Sequence, residues 1–191
     1  MQMSLPDDGL VRKLWPTEID LYRDHLLRLD PDSRRARFGG AVADEFIRDY
    51  VELPFAGTRL IYGFVVDGLL RGSAELRQIG PAGDAEAEVA LSIEKPWQSG
   101  GVGSALLTQM LLAARNRRIR TLHMMCLADN RRMQLLARKF DAELSFAFGS
   151  VVGEVETPYP TPMSMMREAI ADSSAFASAV LDVQKRLLRP A

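Results

Sequence analysis

The sequence predicts an α/β (α+β) protein, in which a mixed sheet of about seven strands is flanked by helices and followed by a C-terminal helical extension. Three observations predict this fold class. Short β-prone runs alternate with segments of helical periodicity along the chain. A tight-turn signal, Asp67-Gly68, joins two such runs as an antiparallel hairpin. A glycine-rich turn at residues 98–103 leads from a strand directly into a helix, so the strand beyond that helix is expected to run parallel to the first.

Composition narrows the class of protein. The 191 residues suit one domain, and 47% hydrophobic and 26% charged residues are ordinary for a globular protein. A net charge of −1 argues against a partner that is nucleic acid or a membrane surface. The single cysteine, Cys126, excludes an intrachain disulfide and a cysteine-rich zinc site, and we expect no metal. The polar residues 3–8 and the lack of an apolar run of about 18 residues predict a cytoplasmic protein.

The N-terminal third predicts one strand and three helices. Residues 10–15 form the strand, and Thr17 is expected to cap the first helix. A second helical stretch starts near Asp30, and a third covers residues 43–53. The second stretch carries an arginine cluster made of Arg34, Arg35 and Arg37. Two interpretations stay open for it: recognition of an acidic substrate, or a solvated helix face.

The central region predicts the sheet. Residues 59–66 and 69–78 form the hairpin, and residues 86–93 form the strand that enters the glycine-rich turn. Residues 121–127 are apolar at nearly every position, which predicts a parallel strand buried on both faces. A further helix and two last strands, at 144–148 and 151–156, complete this region. His25, His123 and Cys126 are expected at packed core positions, because no third metal ligand has suitable spacing.

The chain is predicted to divide at a proline-rich linker. Residues 1–157 form the main domain, and residues 158–191 form the linker and helical extension. Apolar residues recur at helical spacing in that extension. It is expected to cap the domain, to lie beside the site, or to form a contact in a homodimer.

The glycine-rich turn predicts an anion site. Gly100, Gly101 and Gly103 leave backbone N–H groups unshielded at the start of a helix, where the helix dipole favours a phosphate or pyrophosphate. A Walker loop requires a lysine that this turn lacks. A dinucleotide fingerprint requires a small residue where Leu106 stands. An ATP- or NAD-binding α/β protein is therefore a disfavoured hypothesis.

The pattern Gln98-x-x-Gly101-x-Gly103 resembles the pyrophosphate loop of the GCN5-related N-acetyltransferase (GNAT) family. An acidic strand before it, and a helix, a strand and Asn130 after it, extend the resemblance over residues 10–156. The resemblance implies the mostly antiparallel GNAT fold and acetyl-CoA as the cosubstrate. The segment from Ser33 to Phe38 also resembles that of bacterial protein-lysine acetyltransferases.

The resemblance also implies which residues hold acetyl-CoA. Those around the pyrophosphate are Gln98, Ser99, Gly100, Gly101, Val102, Gly103 and Ser104. The backbone of Leu91, Ser92 and Ile93 is expected to meet the pantetheine, where the family's central strand splays open. Asn130 matches an asparagine that contacts the pantetheine arm; as a helix N-cap it would need no ligand, and both roles are compatible.

The resemblance implies acetyl transfer to a primary amine, of a small molecule or a protein lysine, by direct attack in a ternary complex. Glu88 is the first candidate for the base and Glu86 the alternate, although both can instead lie on a solvated strand face. The family's usual acid, a tyrosine seven residues after the asparagine, is replaced by Ala137. Ser92, Tyr62 and Tyr159 are unranked candidates for that role. The missing tyrosine also motivates an alternative function, a non-catalytic acyl-CoA-binding sensor.

Overall fold

A computed structural model describes residues 5–6, 9–52, 59–80 and 85–187, with side chains up to residue 180 in the last helix. Seven strands form one sheet in the order β1-β2-β3-β4-β5-β7-β6. Only β4 and β5 run parallel, so the sheet is mixed and mostly antiparallel, as predicted. The strands are β1 (Leu10–Lys13), β2 (Arg59–Val66), β3 (Leu69–Gln78), β4 (Glu86–Ile93), β5 (Thr121–Leu127), β6 (Glu143–Ala147) and β7 (Ser150–Glu156).

Six α-helices cover this sheet unevenly. They are α1 (Ile19–Arg28), α2 (Pro31–Phe38), α3 (Asp44–Val51), α4 (Val102–Asn116), α5 (Arg131–Lys139) and α6 (Pro162–Leu187). Helices α1 to α3 lie on one face of the sheet, whereas α4 and α5 lie on the other. On the first face the helices contact mainly β3 and β4, and their contact with β5 is small and made mainly by α2. That face is therefore partly open over β5 and β7.

The larger core lies between the sheet and α4. Leu106, Leu107 and Met110 recur at helical spacing and are fully buried against the inward side chains of β2 to β5. A second core joins α1 and α3 to β1, β2 and β3, with Leu26 and Ile47 fully buried. These two apolar layers fix β4 in the middle of the molecule.

The three arginines of α2 have different surroundings: Arg35 is 52% exposed on a solvated face, Arg34 pairs with Asp44, and Arg37 is buried. Arg37 is buried and lies 2.5 Å from Oε2 of Glu75, while Nε of Arg59 lies 2.6 Å from Oε1 of the same carboxylate. The hydroxyls of Tyr22 and Tyr50 also donate to Glu75. Burial alone would raise the pKa of Glu75, but the two guanidinium groups outweigh it and hold the pKa below its usual range. Both sequence interpretations of Arg37 are wrong.

Two other expectations from the sequence are wrong. Thr17 does not cap α1; Glu18 is buried there, with its carboxylate accepting from the Trp15 N–H and from the Arg12 guanidinium. Strand β5 is buried on one face only. The side chain of Met125 is 60% exposed, because α1 to α3 do not extend over that part of the sheet.

Helix α6 packs beside β1 and the C-terminal half of α4. Glu168 accepts from Arg117 at 2.6 Å and from Asn116 at 2.7 Å, and Asp172 accepts from Lys13 at 2.9 Å. The extension predicted from residue 158 onward is therefore one helix, which runs from Pro162 to Leu187. Residues 188–191 of the extension lie outside the described part of the chain. Among the described helices none is long and apolar enough to cross a membrane.

Candidate active site

Strands β4 and β5 pair along only the first part of their length. The pairs run from Glu86↔Thr121 to Glu88↔His123 and end there, although both strands are described in full. Strand β4 nevertheless stays paired with β3 as far as Ile93, and β5 stays paired with β7 as far as Leu127. The sheet therefore opens between the two parallel strands at their carboxyl ends.

Alternation along β4 decides which backbone groups face this opening. The carbonyl of Glu86 accepts from Ile79, and the N–H of Glu94 donates to Arg71, so even-numbered residues bond to β3. Odd-numbered residues turn their N–H and C=O groups toward β5. The backbone of Leu91 and the N–H of Ile93 consequently line the opening. The carbonyl of Val89 also faces it, and sequence reasoning did not include that residue. The backbone of Ser92 faces β3 instead.

The glycine-rich turn lies directly after the opening. Gly101 adopts a left-handed conformation with φ of 82° and is the N-cap of α4. Ser99 is also left-handed, with φ of 66°, and is exposed. A Cβ on Gly103 would lie 3.3 Å from Leu136 of α5, so this glycine also allows close packing between the helices. The first N–H groups of α4, from Val102 to Ser104, have no partner within the helix.

Side chains from α2 and α5 hold the turn in place. Nε2 of Gln98 donates to the carbonyl of Ile93 at 2.9 Å and to Oγ of Ser33 at 3.1 Å. Its Oε1 accepts from Arg132, and Nζ of Lys139 donates to Oγ of Ser104 at 3.0 Å. Two cations therefore flank the start of α4, where they reinforce the positive end of its dipole. Sequence reasoning missed both cations, although the basic residues spaced along α5 were a signal.

An acidic surface lies on the open face of the sheet, beside the paired end of β4. Glu86 and Glu88 share that face, and their side chains are 58% and 29% exposed. Oε2 of Glu88 lies 3.2 Å from Arg77, and Nε2 of His123 lies 3.0 Å from Glu86 and its Nδ1 3.6 Å from Glu154. His123 is thus half-buried among carboxylates, and its predicted core position is wrong. Within the described residues no group of three such side chains is arranged to hold a metal ion.

Ser92 belongs to a buried polar chain under α1. Its Oγ lies 2.9 Å from Nε2 of His25 and 2.8 Å from Oγ of Ser73. Nδ1 of His25 lies 3.3 Å from Glu94, which also binds Arg28 and Arg71. Burial lowers the pKa of His25, which favours the neutral imidazole. The hydroxyl of Ser92 thus contacts the imidazole of His25, which in turn contacts the carboxylate of Glu94. Ser92 lies on β4, the strand that borders the opening.

The remaining candidates occupy different places. Oδ1 of Asn130 accepts from the N–H of Met133 at 3.1 Å, so Asn130 caps α5 as expected. Ala137 is buried against the sheet. The Tyr62 hydroxyl lies near Asp172 of α6, and burial together with that carboxylate raises its pKa. The exposed Tyr159 ring lies beside Arg120, and its carbonyl binds Arg115 at the far end of α4. Among the three hydroxyl candidates, Ser92 lies on β4, the strand that borders the opening, with its hydroxyl buried under α1.

Comparison with known proteins identifies the fold. No family model matches the sequence, and no curated protein is similar to it. The crystal structure of the GNAT domain of PAT from S. lividans is 22% identical, with a TM-score of 0.66, over 78% of this chain and 90% of that one. The PaiA N-acetyltransferase of Thermoplasma acidophilum, in complex with coenzyme A, is 15% identical over 78% of this chain and 99% of that one, with a TM-score of 0.58.

A third solved structure is a cAMP-binding acyltransferase from Mycobacterium smegmatis. It is 17% identical with a TM-score of 0.57 over 90% of this chain, which spans about half (52%) of that longer protein. These likenesses establish the architecture: the chain has the GNAT fold, that of a class of domains which includes N-acetyltransferases. In this chain the parted parallel strands and the glycine-rich turn are adjacent.

Proposed function

We propose that this chain is a GNAT-family enzyme that transfers the acetyl group of acetyl-CoA to a primary amine, by direct attack in a ternary complex. One observation carries the proposal: β4 and β5 part beside the glycine-rich turn at the start of α4. The opening offers unpaired backbone groups for an amide-bearing chain, and the turn offers N–H groups for a pyrophosphate. Acetyl-CoA combines these two features in one molecule.

The residues around the opening fit acetyl-CoA. The turn from Gln98 to Ser104 would hold the pyrophosphate, with Arg132 and Lys139 adding positive charge beside it. The backbone of Leu91 and Ile93 would pair with the pantetheine amides. Asn130 retains its amide N–H₂ for the same arm, since its cap uses only Oδ1.

The acceptor is proposed to enter over the open face of the sheet. Glu86, Glu88 and Glu154 give this face a negative potential that attracts an ammonium group and disfavours nucleic acid. Glu88 is the proposed base, with Glu86 as the alternate, and takes one proton from the ammonium. The freed amine attacks the thioester carbonyl carbon, a C–N bond forms, and the C–S bond breaks to release the thiolate of CoA. The nitrogen loses its second proton as it becomes an amide, and the thiolate gains one proton to leave as the thiol.

Ser92 is the proposed proton donor to that thiolate. Its hydroxyl would give its proton to the thiolate and regain one from the attacking nitrogen as the amide forms. Neutral His25, whose Nδ1–H faces the carboxylate of Glu94, accepts from this hydroxyl through Nε2 and positions it. Because a thiol has a pKa of about 8.5, its thiolate is a moderate leaving group, and protonation by Ser92 needs to lower the reaction barrier only slightly. If Ser92 protonates the thiolate, no acidic side chain is required at position 137.

Calorimetric titration with acetyl-CoA, using ATP and NAD as controls, followed by free-thiol release over a panel of small amines and lysine peptides, tests the proposal. We expect saturable acetyl-CoA binding, with no binding of the controls, and thiol release with at least one amine. Failure to bind acetyl-CoA would overturn the assignment of the opening.

A second candidate function is a non-catalytic acyl-CoA sensor. The observation that favours it is Ala137, which is buried at the position where the resembled family has its acidic tyrosine. Acetyl-CoA binding without thiol release across the panel would favour the sensor.

A further inference from the structure

The C-terminal helix α6 has two unlike faces. The inner face packs on α4 and β1, with Ser164, Glu168, Ala175 and Ala179 buried. We call the opposite side the outer face. At 100° per residue, nine residues between Met163 and Val180 fall within about 160° of arc on this side. They are Met163, Met165, Met166, Ala169, Ile170, Ser173, Phe176, Ala177 and Val180.

All nine residues of the outer face are exposed, and none is charged. The six large ones are between 44% and 63% exposed, which amounts to about three fully exposed side chains. At ~200 Å² for a large side chain, the apolar area is on the order of 600 Å². A typical monomer's largest apolar patch is at most about that size, whereas a standard protein interface takes about 800 Å² from each partner. The outer face is therefore large enough to form most of one.

The order of residue sizes on the outer face is symmetric about Ser173. Three residues to either side lie Ile170 and Phe176, four residues away lie Ala169 and Ala177, and seven residues away lie Met166 and Val180. The pair at four residues, Ala169 and Ala177, joins two small residues. The pairs at three and at seven residues each join two large ones. In a two-fold contact with its axis at Ser173, the two members of each pair would meet across the interface, so small residues would face each other near the axis and large residues would flank them.

We propose that the outer face of α6 pairs antiparallel with the outer face of a second copy of this chain, with the two-fold axis at Ser173. The small residues at its centre allow the two helices to approach closely, while the large ones interdigitate on either side. The hydroxyl of Ser173 already donates to the carbonyl of Ala169 at 2.8 Å. Its burial in the pair therefore leaves no unpaired donor.

The oligomeric state is the first measurement, by sedimentation equilibrium of the full chain from low to high micromolar concentration. We expect the mass to rise toward twice 21.2 kDa, and Ile170→Lys to hold it at 21.2 kDa. Arg167→Glu, which changes a charge outside the outer face, is expected to dimerise like the parent. A single 21.2 kDa species at every concentration would overturn the proposal, as would a monomer that instead pellets with phospholipid vesicles.

Cysteine crosslinking in a Cys126→Ala background tests the axis. Two helices related by a two-fold at Ser173 bring Ser173→Cys within the ~7 Å limit for a disulfide. Ala169→Cys alone should not crosslink, because its two copies are offset by about 12 Å, eight residues of helical rise. An equal mixture of Ala169→Cys and Ala177→Cys should crosslink rapidly. Crosslinking of Ser174→Cys as fast as Ser173→Cys would refute this register.

Discussion

Replacing Glu88 with glutamine removes one ionisable oxygen from the open face of the sheet and keeps the side chain's size. In the structure this carboxylate lies 3.2 Å from Arg77, and the two side chains are 29% and 53% exposed. An ion pair that solvent screens to this degree contributes about 0 to 1 kcal/mol to stability. Glu88→Gln should therefore fold normally, with a melting temperature close to that of the parent.

The expected effect falls on turnover alone. A positioned general base accelerates proton transfer by ~10² to 10⁴-fold. We expect kcat to fall by about 100-fold, which corresponds to ~2.7 kcal/mol of transition-state stabilisation. The Kd for acetyl-CoA should stay unchanged, because five residues of strand, about 16 Å, separate Glu88 from Ile93 and the glycine-rich turn.

Thiol release at saturating acetyl-CoA measures kcat, and calorimetry measures the Kd on the same protein samples. Two matched variants complete the design: Glu86→Gln on the same strand face, and Arg77→Gln, which removes the partner but keeps the Glu88 carboxylate. We expect both to retain more than about a tenth of the parent turnover. Undiminished turnover in Glu88→Gln would refute its role as the base, and a 100-fold loss confined to Glu86→Gln would move that role to the alternate.

Three further predictions concern the turn, the proton donor and pH. Gly101→Ala places a side chain in a left-handed conformation at a cost of about 1–2 kcal/mol, and it should weaken acetyl-CoA binding. The control is Gly149→Ala, which is equally strained at φ of 84° but lies outside the turn, and it should lower only the melting temperature. Ser92→Ala should lower kcat at least about tenfold with an unchanged Kd for acetyl-CoA; an unchanged kcat would exclude Ser92 as proton donor. The folded-state pKa of His25 is lowered, so the unfolded chain binds more protons, and the free energy of unfolding falls as pH drops below about 6.5. The folded-state pKa of Glu75 is also lowered, and protonation of this carboxylate lowers the free energy of unfolding further below about pH 4. Thermal unfolding from about pH 8 to about pH 2.5 measures both, and a parallel curve for His25→Gln between pH 7 and 5 would contradict the first.

Local patterns were enough to predict most of the architecture. The hairpin around Asp67-Gly68 and the entry of β4 into a glycine-rich turn followed from turn chemistry and periodicity, which depend on neighbours in the chain. The fold and its seven strands are confirmed. The assigned roles of Glu88, of the turn and of Asn130 as a ligand stay predictions, although the structure brings the turn, Asn130 and the end of β4 together.

Other features depend on partners that are distant in the sequence. Arg37 and Glu75 are 38 residues apart, and His25 lies 67 residues from Ser92, so neither pairing has a local signature. A buried arginine and a solvated one look alike in a helical pattern until the opposing carboxylate is known. His123 was misjudged for a related reason: an apolar strand gives no indication that one of its faces lacks a covering helix.

The parting of β4 from β5 gives the two sides of a single strand unlike exchange behaviour with solvent. Even-numbered amides such as those of Ala90 and Ser92 are bonded to β3, and should exchange hydrogen for deuterium only on opening of the central sheet. The amides of Leu91 and Ile93 lie beyond the last pair with β5, face an unpaired edge inside the molecule, and should exchange much faster. Slow and fast amides would alternate along β4, and a ligand seated in the opening would slow only the fast set. The middle of the sheet thus contains an unpaired strand edge, and a ligand with backbone-like amide groups can form hydrogen bonds with it.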